Sequence, residues 1–387
     1  MLTILSRYIK LIAKRIYYIM WLKEIEKQIK GLFLKFLRLF LKNTPLRKEE
    51  VDLSLIKKIL VVRQDERIGN LVLLTPFLIA LRKAFPQAQI TFLASKTFHT
   101  LFSGSDLVDE ILVLHKKMFI FNPLSLFFFI RKLRSQRFDL AFDLSDEDWI
   151  SVNNTMYTYL SKALYRVGHE RENSGLFLNL EVPKPRDTQR HAVEMHLDSL
   201  RFLIGEVESN NPTINALPQN KTIIQDYLAK RNVSSDDFLV GINLGGRGKK
   251  RWGKNDFLKL ADWVKKEYDC KIIFIWGPEE KQLVRGFALR KDVILSDIFP
   301  LPVLAALIER CQLFISSDTG AMHLSCAVGT PTLAIFLDSD AVKYGPRGEK
   351  HRSIIAKGGN ASFDDLKMKI IEMTGETIGT NLQIRPS

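Results

Sequence analysis

The chain has 387 residues, 46% hydrophobic and 26% charged, a length that suits two ordinary domains and a composition that excludes a disordered chain. Its formal charge is +14, but residues 1–48 hold twelve lysines and arginines against two glutamates, so most of the excess sits in a leader. The near-balanced remainder argues against a nucleic-acid surface. Cys270, Cys311 and Cys326 form no CxxC pair, which excludes a disulfide frame or zinc site and fits reduced thiols in a cytoplasmic protein.

Residues 1–56 form the leader. Arg7, Lys10 and Lys14, then Lys23, Lys27 and Lys30, then Lys35, Arg38 and Lys42 recur at helical intervals among aliphatic and aromatic clusters. The longest unbroken apolar run, Ile16–Leu22, is far short of the roughly 20 residues a spanning helix needs. The pattern predicts one or two amphipathic helices, broken at Gly31. They lie either in the plane of an anionic leaflet, with lysines at headgroup level, or against the protein's own body or a partner.

Residues 57–205 alternate short apolar runs with helical patterns. "KKILVV" leads to a helix over Leu71–Ala84, "QITFLAS" to a short helix near 96–102, and "DEILVLH" to a helix near 124–136. "DLAFDLS" precedes a helix near 149–163, and "YRVG" and "HAVEMHLDSLRFLIG" follow. Within "MFIFNPLSLFFFIRKLR", residues 118–134, an apolar stretch runs into Arg131, Lys132 and Arg134. It reads either as a helix buried on the first sheet or as a segment dipping into a bilayer. The polar residues 206–220 are the expected linker. In residues 221–387 the alternation restarts with "FLVGINLGG", a helix over 255–268, "KIIFIWG", a helix over 301–310, "LFISSDTG" and "TLAIF". The fold class is therefore α/β: two doubly wound domains with parallel sheets, facing a cleft at the carboxyl ends of their strands.

The loops after the strands carry the chemistry. In "NLGGRGKKRWGK", Gly246 and its neighbouring glycines allow a close backbone approach, and Arg247 and Lys250 stand among five cations suited to a diphosphate. A solvated basic turn has the same composition. "WGPEE" puts Glu279 and Glu280 at a helix start, where acids either gain from the helix dipole or accept ribose hydroxyls. "SSDTGAMH" sets Asp318, Thr319 and Gly320 at a strand-to-helix junction able to hold phosphate, with His323 one turn further on. In "RQDERIGNLVLLTP" the first strand hands over to a helix through Arg63, Asp65, Glu66, Arg67, Gly69 and Asn70. Asp143 ends a later strand of this half at the cleft rim, either contacting a sugar or capping the strand.

The order of these motifs, with "AFPQAQITFL", "FDLAFDL", "GxxxKRW", "GPEE" and "DTGxMHLxxAxGTP", resembles glycosyltransferase family 9, which contains the lipopolysaccharide heptosyltransferases. The resemblance covers about residues 57–355. It implies a GT-B fold with an N-terminal acceptor domain and a C-terminal domain for a nucleotide-diphosphate sugar, usually ADP-heptose. It further implies inverting transfer without a metal or other cofactor onto a lipid-linked core oligosaccharide, at the inner leaflet of a bacterial inner membrane. Carried over by position, Lys250 would contact the diphosphate, Glu279 the ribose, and Asp318, Thr319, Gly320 and His323 the diphosphate and sugar. Arg63 and Arg67 would bind acidic groups of the acceptor, which Gly69 would let approach the backbone.

Asn70 departs from the pattern. The family's usual residue here is Asp, the base for the acceptor hydroxyl, whereas an amide orients a hydroxyl without taking its proton. Three readings stay open. Asp65, or Glu66 after it, is the base; or leaving-group stabilisation and positioning suffice, with Asn70 orienting; or the protein binds without turnover. Another donor sugar and a GT-B nucleotide-sugar epimerase are the further alternatives.

Overall fold

The computed structural model describes residues 28, 31, 32, 34–36, 38, 39, 41–64, 67–96, 99–115, 122–146, 151–187, 189–248, 251–287, 290, 292–356 and 361–377. Its first half runs β1 (Lys58–Val62), α1 (Ile68–Val72), α2 (Thr75–Ala84), β2 (Gln89–Ser95), β3 (Glu110–Leu114), α3 (Pro123–Ser135), β4 (Leu140–Asp143), α4 (Val152–Leu160), β5 (Tyr165–His169), β6 (Leu180–Val182) and α5 (Ala192–Ile204). The second half runs α6 (Pro218–Ala229), β7 (Leu239–Asn243), α7 (Lys254–Glu267), β8 (Lys271–Ile275), α8 (Lys281–Val284), β9 (Ile294–Leu295), α9 (Leu301–Arg310), β10 (Leu313–Ser317), α10 (Gly320–Ala327), β11 (Thr332–Phe336), α11 (Ala341–Tyr344), β12 (His351–Ile355) and α12 (Phe363–Thr377).

Each half holds one six-stranded parallel sheet, ordered β3-β2-β1-β4-β5-β6 and β12-β11-β10-β7-β8-β9. Runs such as Ile59–Val62 are wholly buried because helices cover both faces of a parallel sheet. Strand order reverses between β1 and β4 in one sheet and between β7 and β10 in the other. Chain segments diverge at such switch points and leave a crevice beyond the strand ends.

Two boundaries differ from the sequence expectation. The helix expected over Leu71–Ala84 is two helices, and the first begins at Ile68, so Gly69 and Asn70 lie in its first turn instead of the loop. Pro76 lacks an N–H and its ring opposes the carbonyl of Val72, so the hydrogen-bond ladder stops there. The Thr75 hydroxyl donates to the Val72 carbonyl instead, at 2.8 Å. The linker also ends early, because Pro218 starts α6 with its ring at a first-turn position that needs no N–H donor.

The largest apolar cluster runs through both halves, joining Leu81, Leu200 and Leu203 to Ile308, Leu324 and Ala327. The linker is stitched to both sides: Ile214 N–H donates to the Ala327 carbonyl at 2.9 Å, and Thr213 N–H to Thr75 Oγ1 at 3.0 Å.

Residues 1–27 of the leader lie outside the described residues. The described positions from 28 to 39 are helical, and Leu34 is buried against Tyr159 and Phe177. Asn43 pins the leader's end, donating to the carbonyls of Gly175 (2.8 Å) and Leu178 and accepting from Arg166. We expect Asn43→Ala to lower stability by about 1–3 kcal/mol, since three partners lose their bond. Urea denaturation measures this; an unchanged midpoint would show that Asn43 does not hold the leader.

Candidate active site

At the switch point of the second sheet, Asn243 ends β7 and ties two loops together. Its Nδ2 donates to Ser316 Oγ and Thr319 Oγ1, both at 2.9 Å, and its Oδ1 accepts from Gly245 N–H at 3.3 Å. The glycine-rich loop is thereby fixed to the start of α10. Gly246 has φ of 149°, and a Cβ there would lie 2.8 Å from Arg251 Cα, so the loop needs glycine at this point. Arg251 donates to the Gly246 carbonyl at 2.7 Å and to buried Glu280 at 2.8 Å. This cation, counted among the five in the sequence, is committed to shaping the loop.

Arg247 and Glu279 face solvent and form a two-point ion pair, with contacts of 2.9 and 2.5 Å. Hydrogen bonding to Arg247 holds the Glu279 carboxyl below its usual range. Lys250 lies outside the described residues.

At the switch point of the first sheet, Arg63 is buried, donating to the Leu144 carbonyl and to Asp146 at 3.1 Å. Arg67 is exposed and approaches the other Asp146 oxygen at 3.7 Å. Burial works to raise the Asp146 carboxyl, but the charge and hydrogen bond of Arg63, with Arg67 and the other nearby cations, together hold the group below its usual range. Asp65 and Glu66 lie outside the described residues. Asp143, expected at the rim, is wholly buried: it pairs with buried Arg171 at 2.8 Å and accepts from Thr155 at 3.0 Å and from Ser145. A charge in so dry a place must be paired, so Asp143 holds the loop, and Asp146, three residues on, is the partly exposed carboxylate.

Across the cleft, α1 packs on α10. A Cβ built on Gly69 would lie 2.5 Å from His323 Cδ2, and one on Gly320 would lie 1.6 Å from Ile68 Cγ2. The space at Gly69, expected to admit an acceptor, is occupied by the His323 ring. His323 Nε2 stands 3.7 Å from Asp318 Oδ1, and both side chains are nearly buried. The structure thus brings Gly69 and Asn70 beside Asp318, Thr319, Gly320 and His323. The Gln64 amide, Ser317 Oγ and Ser339 Oγ, at or just beyond the carboxyl ends of β1, β10 and β11, are buried without a hydrogen-bond partner among the described residues. A cavity of about 380 Å³ lies elsewhere, at the linker, between Phe102, Asp106, Leu217 and Ala305. It includes none of these groups.

The fold and the sequence are similar to those of known proteins. The sequence profile of glycosyltransferase family 9 (heptosyltransferase) matches residues 126–369, more than half of the chain. Lipopolysaccharide heptosyltransferase 3 of Escherichia coli is 21% identical over 304 residues, 72% of this chain and 83% of that protein. The crystal structure of the family 9 glycosyl transferase from Veillonella parvula superposes with a TM-score of 0.69 at 23% identity, covering 82% of this chain and 89% of that one. E. coli heptosyltransferase WaaC with ADP gives 0.65 at 20% identity, covering 82% and 99%.

Two expectations follow. Gly320→Ala, whose methyl would overlap Ile68, should force α1 from α10; small-angle scattering would show an expanded particle, and an unchanged envelope would contradict the close contact. The second concerns His196 on α5, which burial, followed by Arg63, pushes down to about 3. Its unfolded value is near 6.5, so below that pH the unfolded chain holds more protons and stability falls as pH drops. Urea midpoints from pH 7 to 4.5 should decline, less steeply in His196→Leu; identical slopes would assign the effect to another group.

Proposed function

Since this chain belongs to glycosyltransferase family 9 and is a glycosyltransferase of the heptosyltransferase type, we propose that it moves heptose from ADP-heptose to a lipopolysaccharide core or related glycolipid, inverting the anomeric carbon. The observation that carries this reading is the seating of His323 on Gly69, which puts the start of α1 against the start of α10. Donor and acceptor held at those two helix starts would meet at one point.

In this mechanism the acceptor hydroxyl attacks the anomeric carbon as its bond to the diphosphate breaks, and ADP leaves with the electron pair. Lys250, Arg247 and the amides of Thr319 and Gly320 at the start of α10 stabilise the departing charge, with no metal required. Glu279 would exchange Arg247 for the ribose hydroxyls. The hydroxyl's proton goes to Asp65, with Glu66 as its neighbour and Asn70 orienting the oxygen. Arg67, exposed and one residue before α1, would hold an acidic group of the acceptor, while Arg63 fixes Asp146 beside it. The leader's basic, apolar sequence supports work at the anionic inner leaflet of the bacterial inner membrane, facing the cytoplasm.

Asp65→Asn should slow single-turnover transfer about 10²–10⁴-fold while leaving the thermal shift given by ADP intact; full transfer by that variant would remove Asp65 from the role. Asn70→Asp should speed transfer if the position is a vacant base site. Asn70 also favours one other reading, a binder without turnover, which a normal ADP shift with no transfer to any core acceptor would support.

A further inference from the structure

The helix expected either on the sheet or in a bilayer has one apolar face on the body and a second one exposed. α3 buries Leu133 in a satellite core, and Phe129 meets Tyr157 of α4 edge to face at 5.8 Å. Its other face leaves Leu124, Phe127 and Phe128 exposing 67%, 59% and 63% of their surface. Those three and Arg131 follow at intervals of three and four, so they form one stripe whose carboxyl end is basic. Lys132 continues the row, and Arg134 stands beside it. An apolar stripe flanked by cations on a surface helix has the form of an interfacial membrane helix.

The leader carries a matching stripe. Leu32, Phe36 and Leu39, four and three residues apart, expose 67%, 57% and 79%, with exposed Lys35 and Arg38 alongside. Its opposite residue, Leu34, packs on Tyr159. Helix α4 therefore stands between the two, with Tyr157 toward α3 and Tyr159 toward the leader, and Leu160 packs on both clusters.

Direction matters as well. α3 follows the carboxyl end of β3, and Gln136 just beyond its end accepts from Lys58 at the amino end of β1, at 3.2 Å. Leu124, Phe127 and Phe128 therefore occupy the end of the helix nearest the strand carboxyl ends, the edge that carries Arg63 and Asp146.

We infer that α3 and the leader together form a docking surface for an anionic lipid bilayer, in which the phenylalanines of α3 enter the acyl boundary while Arg131, Lys132 and Arg134 meet lipid phosphates. The occupant follows from charge: among the described residues every charged side chain of both helices is basic, although Glu110 of β3 lies 3.8 Å from Lys132. Docking by this face presents the crevice edge of the first sheet to the lipid surface. The inference rests on the inner-leaflet placement proposed above and is independent of the transfer chemistry.

The test is co-sedimentation of the full chain with vesicles of phosphatidylcholine alone and of phosphatidylcholine with phosphatidylglycerol. The native chain should favour the anionic vesicles. The double variant Phe127→Ser, Phe128→Ser, with its leader intact, should lose about tenfold or more of that partition. Its melting temperature and ADP shift should stay native, because both rings are exposed. A second variant, Leu32→Ser with Phe36→Ser, should lose a comparable share. Undiminished partition in the α3 variant, or equal partition into both vesicle types, would overturn the inference. So would a native dimer that the α3 variant dissolves while vesicle binding persists. A loss of ADP binding by the native chain would instead count against the transferase reading.

Discussion

The centre of this molecule depends on two glycines that let two helices touch. Ile68 reaches over Gly320, and His323 lies on Gly69, so the first turns of α1 and α10 meet with each of these side chains seated on the other helix's glycine. Any Cβ at either position would need the space of a neighbour's atom, and close-packed interiors yield little. The closeness of the two halves at the crevice is therefore written into two positions, supported behind by the shared apolar cluster and by Thr213 bonding back to Thr75.

Around that contact, each sheet closes its switch point with one polar side chain. In the second sheet a neutral amide, Asn243, links the ends of β7 and β10. In the first, the charged Arg63 bridges from the end of β1 to the loop after β4. The charged solution is costlier to bury, and the first half compensates by pairing: Arg63 with Asp146, Arg171 with Asp143. His196, buried beside this cluster, has its imidazole pushed well below the usual range, first by burial and then by the Arg63 charge.

The alternation of buried apolar runs with amphipathic helices was legible because the hydrophobic period differs between a buried parallel strand and a surface helix. The loops after β1, β7, β8 and β10 were legible because charges and glycines stand where apolar runs stop. Other features were not. Asp143 looked like a rim acid because its partner Arg171 lies 28 residues away, and no local pattern announces an ion pair. The break before Pro76 was visible in principle, yet the apolar period carries straight through it. Asn243 could have been noticed as the one amide at the end of a strand otherwise apolar, but its partners are 73 and 76 residues distant. The α3 stripe was left between two readings because sequence periodicity does not say which of two apolar faces meets the body.

The exposed pairing of Arg247 with Glu279 has a consequence for the ionic character of the glycine-rich loop. A guanidinium that already holds a carboxylate at two points gives up one anion when it takes another. Occupancy there is an ion exchange, in which much of the attraction to the newcomer is offset by the partner it displaces. Such a loop would favour, over chloride or lone phosphate, an anion whose other atoms give the freed carboxylate something to hold. Selectivity would then come from a molecule carrying both a negative group and a pair of donors, set a few ångströms apart.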